Sequence, residues 1–314
     1  MNNINSIQWP DGKDFAFTVF DDTDWGTVAN LEPVYSFLND LGIKTTKTVW
    51  PLSNPGKPEG EGSTCEDKEY LDWLLKLQQD GFEIGYHLAS YNPSKRERTI
   101  EGLEKFRSLF GHYPYSMANH NLNTEGMYWG SARLSFFLTR LLYNASTKFA
   151  KNDIWEGHKP GSPYFWGDLC VEKIQYVRNF IYPEINTLKA CPHMPYHDPS
   201  KPYVKKWYAA SEGSGIKSFN KLVTVQNIDK LVAERGACIM YTHFAAGFYR
   251  DGKLNDDFKK NMEYLSKKNG WFVPMNTLLG FLEQQNGPKT LQTTERLGLE
   301  LSWLAAKLKR GRTS

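Results

Sequence analysis

The chain has 314 residues, of which 40% are hydrophobic and 14% aromatic, enough for one large domain with a full core. Its 38 basic and 35 acidic residues leave a net charge of only +3, which argues against a nucleic-acid-binding protein. The four cysteines are far apart and form no CxxC pair, so neither a disulfide framework nor a zinc knuckle is expected. The amino terminus lacks a charged-then-apolar secretion signal, and we therefore expect a cytoplasmic protein.

Strand and helix patterns alternate along most of the chain. An apolar strand at 15–20 is followed by an amphipathic helix at 28–41, which Gly42 ends. Such alternation implies parallel strands joined by right-handed crossovers, and about seven units favour a closed (β/α) barrel over a doubly wound sheet. The later strands are predicted at 44–50, 82–87, 113–119, 187–191, 206–210, 237–243 and 271–274. The later helices are predicted at 66–80, 94–110, 170–181, 227–235, 254–268 and 276–285.

The domain organisation predicted from these patterns is simple. Residues 1–290 form a single barrel domain, with long irregular loops at 121–205 that are rich in Trp, Tyr, Pro and His. Residues 291–314 form an amphipathic helix with a basic tail. We interpret this helix as packed on the barrel with a solvated tail, and weak peripheral contact with an anionic membrane is the alternative.

Residues able to carry chemistry stand where the predicted strands end. The first strand ends in Asp21-Asp22, the third in His87, the fourth in His120 and a late one in His243. Because the carboxyl ends of parallel barrel strands meet at one rim, we expect these side chains to lie together. Imidazoles, a carboxylate and a second acid or base are what a metal-dependent hydrolase requires.

Each of these residues also has a structural interpretation. Asp22-Thr23-Asp24 has the composition of a cap for the following helix. His87 can be a core histidine and His120 a turn residue. Because four separate strands end in aspartate or histidine, we favour the functional interpretation of these residues taken together.

Three segments resemble the polysaccharide deacetylase family, carbohydrate esterase family 4. They are FTVFDD at 17–22, LNDLGIKTTKT at 38–48 and GFEIGYH at 81–87, and the resemblance extends over about 14–110 and 236–285. It implies a distorted (β/α) barrel with about seven parallel strands. It also implies a divalent metal, with zinc expected, and hydrolysis of N-acetyl or sometimes O-acetyl groups on a sugar substrate.

The resemblance implies roles for individual residues. Asp21 matches the family's catalytic base and Asp22 its metal-binding aspartate. His87 matches the first metal-binding histidine, and His243, in the sequence IMYTH, matches the histidine that protonates the leaving amine.

Two departures from the family pattern bear on the metal site. Tyr91 stands where the family has a second metal-binding histidine, and SMANH at 116–120 replaces its Arg-Pro motif. We therefore predict that His120 supplies the missing imidazole from the neighbouring strand. Asp168 is interpreted either as an acid that orients the catalytic groups or as a cap for the helix after it.

Aromatic and amide side chains are the candidates for substrate contact, because aromatic planes suit the C–H faces of sugar rings. Two other functions stay open: hydrolysis of another C–N amide on the same barrel, and non-catalytic carbohydrate binding with a degenerate metal site. A soluble activated sugar or a lipid-linked glycan of cell-surface biosynthesis fits a cytoplasmic enzyme better than cell-wall polymer. The predicted substrate-binding residues are Trp25, Tyr91, Asn119 and Trp166, with Trp129 and Trp155 as further stacking candidates.

Overall fold

A computed structural model describes residues 7–147 and 154–310, and within these ranges it contains twelve strands and eleven α-helices. The strands are β1 (Phe15–Asp21), β2 (Thr46–Val49), β3 (Glu83–Tyr86), β4 (Ser116–Met117), β5 (Tyr176–Tyr182), β6 (Tyr196–His197), β7 (Lys206–Glu212), β8 (Ala237–Thr242), β9 (Tyr249–Arg250), β10 (Lys253–Leu254), β11 (Gly270–Trp271) and β12 (Lys289–Thr290). The helices are α1 (Val28–Asp40), α2 (Lys68–Gln79), α3 (Arg96–Phe110), α4 (Phe137–Ser146), α5 (Gly167–Lys173), α6 (Thr187–Ala190), α7 (Ile216–Leu222), α8 (Val225–Ala233), α9 (Asp256–Ser266), α10 (Met275–Asn286) and α11 (Thr293–Arg310).

Seven parallel strands close into a barrel in the order β1, β2, β3, β4, β5, β7 and β8, with β8 pairing again with β1. The closing pair is the longest, running from Ala16 opposite Ala237 to Asp21 opposite Thr242. Both strands are buried along their whole length, as expected for parallel strands covered by helices. The predicted (β/α) barrel with about seven parallel strands is therefore confirmed.

The barrel is distorted where short strands join its edges. β11 pairs with the beginning of β1, at Phe15, while β2 pairs with its end, at Phe20. β6 runs antiparallel to β7 and carries β12 beside it. At the amino end of β3, buried Glu83 accepts hydrogen bonds from Thr46, Ser116 and the backbone of Asn276, which ties β2, β4 and α10 together.

Two predictions of secondary structure between 170 and 191 were wrong. The predicted helix at 170–181 ends at Lys173, and β5 begins at Tyr176. The polar pair Arg178 and Asn179 interrupts an otherwise aromatic and β-branched run, and both side chains are buried. The predicted strand at 187–191 is the short helix α6, whose N-cap Asn186 accepts a hydrogen bond from the Lys189 amide.

The carboxyl-terminal helix α11 packs on the barrel beside β5. Trp303 lies in its buried face, with ring centroids 5.1 Å from Phe180 and 5.7 Å from Tyr143. Gly311–Ser314, the end of the predicted basic tail, lie outside the described residues. Among the helices of the described ranges, none has the length and apolar character required to cross a bilayer.

Candidate active site

The structure brings the predicted histidines together at the carboxyl end of the barrel. His87 follows β3, His120 lies three residues after β4, and His243 follows β8. The ring centroids of His87 and His120 are 5.4 Å apart, and the indole ring of Trp50 lies 5.7 and 5.4 Å from them. The rim of a parallel barrel therefore collects these side chains, as the strand-end pattern predicts.

Asp24 is the acid on which the three imidazoles converge. Its Oδ1 lies 3.1 Å from His120 Nε2, and its Oδ2 lies 3.2 Å from His87 Nε2 and 3.4 Å from His243 Nε2. Asp24 does not cap α1, because Thr27 is the N-cap of that helix and its amide bonds to the Asn30 side chain. The capping interpretation of Asp22-Thr23-Asp24 was wrong.

Neighbouring groups determine which ring nitrogen of two histidines carries a hydrogen. His243 Nδ1 lies 2.7 Å from the Ser214 carbonyl oxygen, which can only accept. His120 Nδ1 lies 2.7 Å from Asn123 Oδ1, and the Asn123 amide nitrogen faces Ser90 O and Glu125 Oε1, so its oxygen must face the imidazole. Both rings therefore donate through Nδ1 and direct Nε2 towards Asp24, as metal-ligating histidines do.

The charges of the cluster follow from these contacts. Burial opposes ionisation of Asp24, but the three imidazoles hold the pKa of its carboxyl well below the usual range. Burial alone would lower the pKa of His243, yet its contact with Asp24 raises that pKa to about 9. Burial lowers the pKa of His87 on balance, which keeps this imidazole neutral. Burial would lower the pKa of His120 as well, but its contact with Asp24 raises that pKa on balance. The site thus holds an ionised carboxylate, one neutral imidazole, and two imidazoles whose pKa is raised.

The donor set fits a zinc-type ion in its chemistry. Carboxylate oxygen and imidazole nitrogen are both zinc ligands. Within the described residues, Asp24 Oδ2 and His87 Nδ1 are buried without an aligned hydrogen-bond partner. Across residues 7–147 and 154–310, however, no three His, Cys, Asp or Glu side chains are already spaced to hold an ion, so binding requires the cluster to open around it. Metal binding remains a prediction.

Asp22 lies beside this cluster but is held by a different partner. Its two oxygens accept bonds of 2.8 and 2.6 Å from the guanidinium of Arg178 on β5, and both side chains are buried. Burial would raise the pKa of Asp22, but Arg178 lowers it on balance. Asp22 Oδ2 is 3.9 Å from His87 Nε2. The geometry favours Asp24 over Asp22 as a metal ligand, and the predicted role of Asp22 stays untested.

Asp21 faces away from the histidines, because successive side chains of a strand alternate between faces. It forms an ion pair of 3.0 Å with Lys47 and accepts hydrogen bonds from Tyr35 of α1 and from the Phe244 amide. The last bond fixes the backbone directly after His243. Its predicted role as catalytic base remains a prediction, but these contacts support a positioning role.

A cavity of about 1100 Å³ opens beside His243. Trp25 forms part of its lining, is about half exposed and lies with its ring edge-on to His243 at 5.6 Å. Tyr91, which replaces the family's second metal histidine, is partly buried, and its ring lies 5.0 Å from His120. These two predicted substrate contacts are therefore placed at the mouth of the site.

Two other predicted substrate contacts, Trp166 and Asn119, are buried in the core instead. Trp166 is fully buried and donates its indole hydrogen to the Glu125 carbonyl, which leaves no ring face for a sugar. Both ends of the Asn119 amide bond to the backbone of Met127. Trp129 and Trp155, the further stacking candidates, are buried as well.

Asp168 lies in the first turn of α5, away from the histidine cluster. It forms a bidentate ion pair with Arg96, with distances of 2.7 and 2.8 Å. Trp166, rather than Asp168, is the N-cap of α5. Neither predicted role of Asp168 matches this placement.

Sequence reasoning missed Asp24, Arg178 and Asn123 as functional residues. A signal for Asp24 was available, because it belongs to the acidic run Asp21-Asp22-Thr23-Asp24 that begins at the end of β1 and continues into the following turn. Arg178 lies in a segment predicted as helix, and Asn123 in a polar loop.

Comparisons with known proteins agree with this fold. No protein-family model and no curated protein sequence matches the chain. Among solved structures, a protein assigned as a polysaccharide deacetylase from Mycobacterium smegmatis is 13% identical, with a TM-score of 0.52 over 91% of this chain and 96% of that one. The allantoinase PuuE is 12% identical, with a TM-score of 0.53 over 89% and 93%. A polysaccharide deacetylase assigned in Pseudomonas aeruginosa PAO1 is 11% identical, with a TM-score of 0.52 over 89% and 94%.

At these identities the likeness shows the fold alone. The chain has the barrel fold of polysaccharide deacetylases and allantoinase, which confirms the predicted resemblance at the level of fold.

Proposed function

We propose that the protein is a metal-dependent hydrolase that removes an N-acetyl group from a sugar. The observation that carries this proposal is the convergence of His87, His120 and His243 on Asp24, beside the ionised Asp22 and an open cavity. A neutral imidazole, a protonated imidazole and two carboxylates at one rim supply both the ligands and the proton-transfer groups of amide hydrolysis.

Asp24, His87 and His120 would hold the divalent ion, with zinc expected. When bound, it would polarise the acyl carbonyl and acidify water at the site. The bond from His120 Nδ1 to Asn123 orients the ring and keeps Nε2 available as a ligand atom.

In this proposal Asp22 would accept a proton from water. Arg178 keeps it ionised and fixes both oxygens, so its position beside His87 is defined before substrate binds. Fixed orientation of this kind lowers the barrier because the base does not reorganise during the reaction.

In this proposal His243 would donate a proton to the leaving amine. Its pKa of about 9 keeps the imidazole protonated at neutral pH, and the Ser214 carbonyl holds the ring by its other nitrogen. The ring lines the cavity where the amine would depart.

The sugar assignment rests on the half-exposed Trp25 at the cavity wall, which offers an aromatic face for a pyranose ring. A second candidate is hydrolysis of a small cyclic amide, because the allantoinase matches this fold as well as the deacetylases do. Both candidates use the same ligands and proton-transfer groups.

The deciding experiment is to purify the chain without chelators, measure its metal content and assay acetate release from N-acetylated sugars, with allantoin as the competing substrate. We expect about one divalent ion per chain and acetate release that stops when the ion is removed and returns when zinc is restored. His243→Gln should lose turnover, while His112→Gln, a histidine outside the cluster, should retain it. Lack of acetate release from every acetylated sugar, with allantoin hydrolysed, would establish the second candidate instead.

Replacing Trp25 by alanine should weaken sugar binding with little effect on the chemical step. An aromatic contact of this kind contributes about 0.5–1.5 kcal/mol, so KM should rise about 2- to 10-fold with kcat nearly unchanged. Steady-state kinetics measure both constants. Tyr115→Ala, which removes a similarly exposed aromatic ring outside the cavity lining, is the matched control. An unchanged KM would remove Trp25 from the substrate site.

A further inference from the structure

Helix α4 carries its apolar residues on the side that faces away from the protein. Phe137 is 82% exposed and Leu138 is 61% exposed, and Leu141 and Leu142 are also exposed one turn later. The buried side of the helix carries Thr139 and Tyr143 instead. Because globular helices direct their apolar face to the core, this arrangement is the reverse of the usual one.

Helix α11, which packs against α4, also carries exposed apolar side chains. Leu297, Leu301 and Leu308 are exposed and lie on one side of the helix at spacings of four and seven residues. Leu299 and Trp303, on its other sides, are buried, and so is Leu304, which lies between Leu301 and Leu308 on the same side as the three leucines. The seven exposed side chains of the two helices, here called the apolar face, are Phe137, Leu138, Leu141, Leu142, Leu297, Leu301 and Leu308.

The two helices are held firmly, so the apolar face is part of the folded protein. Buried Glu300 of α11 accepts hydrogen bonds from Thr139 Oγ1 and from the Ser135 amide. Tyr143 and Trp303 stack with parallel rings 5.7 Å apart. A cluster of exposed apolar side chains on a fixed scaffold is typical of an interaction site.

The charged residues of α4, and those of α11 after position 296, are basic except for the buried Glu300. Helix α4 contains no acidic residue and one basic residue, Arg140, which is exposed. Between positions 297 and 306 of α11 the one charged residue is Glu300, which is buried. Lys307 follows, and the sequence continues with Lys309, Arg310 and Arg312. An apolar surface edged by cations is complementary to an anionic bilayer.

We propose that the apolar face binds the surface of an anionic lipid bilayer, with Phe137 and the leucines among the acyl chains and the basic residues at the headgroups. A second copy of the chain fits this surface less well, because a symmetric contact would bring the same basic residues together. The proposal is independent of the proposed hydrolase activity, since none of the seven residues contacts the histidine cluster.

The test is sedimentation of the full chain with vesicles of phosphatidylcholine alone or mixed with phosphatidylglycerol. We expect binding that requires the anionic lipid and weakens at high salt. The double variant Phe137→Gln/Leu141→Gln should bind about tenfold more weakly or worse, since it removes two large apolar groups from the interface. Ile100→Gln/Tyr115→Gln, which changes exposed apolar residues elsewhere, is the matched control and should bind as the wild type does.

Three results would overturn the proposal. The wild-type protein could stay in the supernatant with anionic vesicles, or the double variant could bind these vesicles as well as the wild type does. The third result is a wild-type protein that does not bind vesicles and is a dimer by light scattering, with a double variant that is a monomer. A second copy of the chain would then be the partner that covers the apolar face. Far-ultraviolet circular dichroism of each variant verifies that the helices remain folded.

Discussion

Asp24→Asn is expected to abolish both metal binding and turnover, whereas Asp22→Asn should slow turnover and leave the ion in place. Asp24 is the acid that contacts the ring nitrogens of all three histidines, while both oxygens of Asp22 are bonded to Arg178. Loss of a general base costs about 10²–10⁴-fold in rate, so Asp22→Asn should lower kcat by that range. Elemental analysis after dialysis and kcat measured at saturating zinc report the two effects separately.

The same pair of variants decides between the sequence-based and the structure-based assignment of the metal ligand. If Asp22→Asn loses the ion and Asp24→Asn keeps it, the assignment implied by the family resemblance is right and the geometry has been misinterpreted. Asp168→Asn serves as the control, because this carboxylate pairs with Arg96 about half exposed on the surface and should affect neither readout. Melting temperatures of all three variants show whether any loss of metal reflects unfolding.

Arg178→Leu is expected to destabilise the protein by about 3–5 kcal/mol, because it leaves the buried carboxylate of Asp22 without its partner. Chemical denaturation measures this loss as a change in the free energy of unfolding. The double variant Asp22→Asn/Arg178→Leu should recover a large part of it, since the uncompensated charge is then gone.

The pH dependence of this effect follows from the direction of the pKa shift. In the wild type, Arg178 lowers the pKa of Asp22, so the pair stabilises the fold above the ordinary aspartate pKa, and this contribution is lost as pH falls through the lowered value. In Arg178→Leu, only His87 and His243 are left to oppose the effect of burial, so we expect the pKa of Asp22 to rise above its wild-type value. The variant then gains relative stability as that carboxyl takes up a proton. The difference in the free energy of unfolding between the wild type and Arg178→Leu should therefore be largest near neutral pH and become smaller on acidification.

Arg96→Leu is the matched control for this prediction. It removes a bidentate arginine–aspartate pair of nearly the same geometry, with distances of 2.7 and 2.8 Å, but the Asp168 side chain is about half exposed. Exposed pairs contribute about 0–1 kcal/mol, so the loss should be several-fold smaller. If Arg96→Leu and Arg178→Leu lost equal free energies of unfolding, burial would not be what makes the Arg178 pair important for stability.

The fold and the position of the site could be predicted from sequence because both depend on local patterns. β1 and β8 are continuous apolar runs, and the alternation of strands with helices leads to a parallel barrel. Once strands are parallel, residues at their carboxyl ends must share a rim, which is why His87, His120 and His243 were found together. β5 could not be recognised in this way, because the buried polar residues Arg178 and Asn179 break its apolar run.

What the sequence by itself determined was therefore the barrel, its rim and the three histidines on it. Only the tertiary structure decided which partners, and therefore which roles, Asp21, Asp22 and Asp24 have. Their neighbours Lys47 and Arg178 come from other strands, and Arg178 lies 156 residues further along the chain than Asp22. The role of a carboxylate depends on the charges that surround it, and chain folding alone brings those charges into contact.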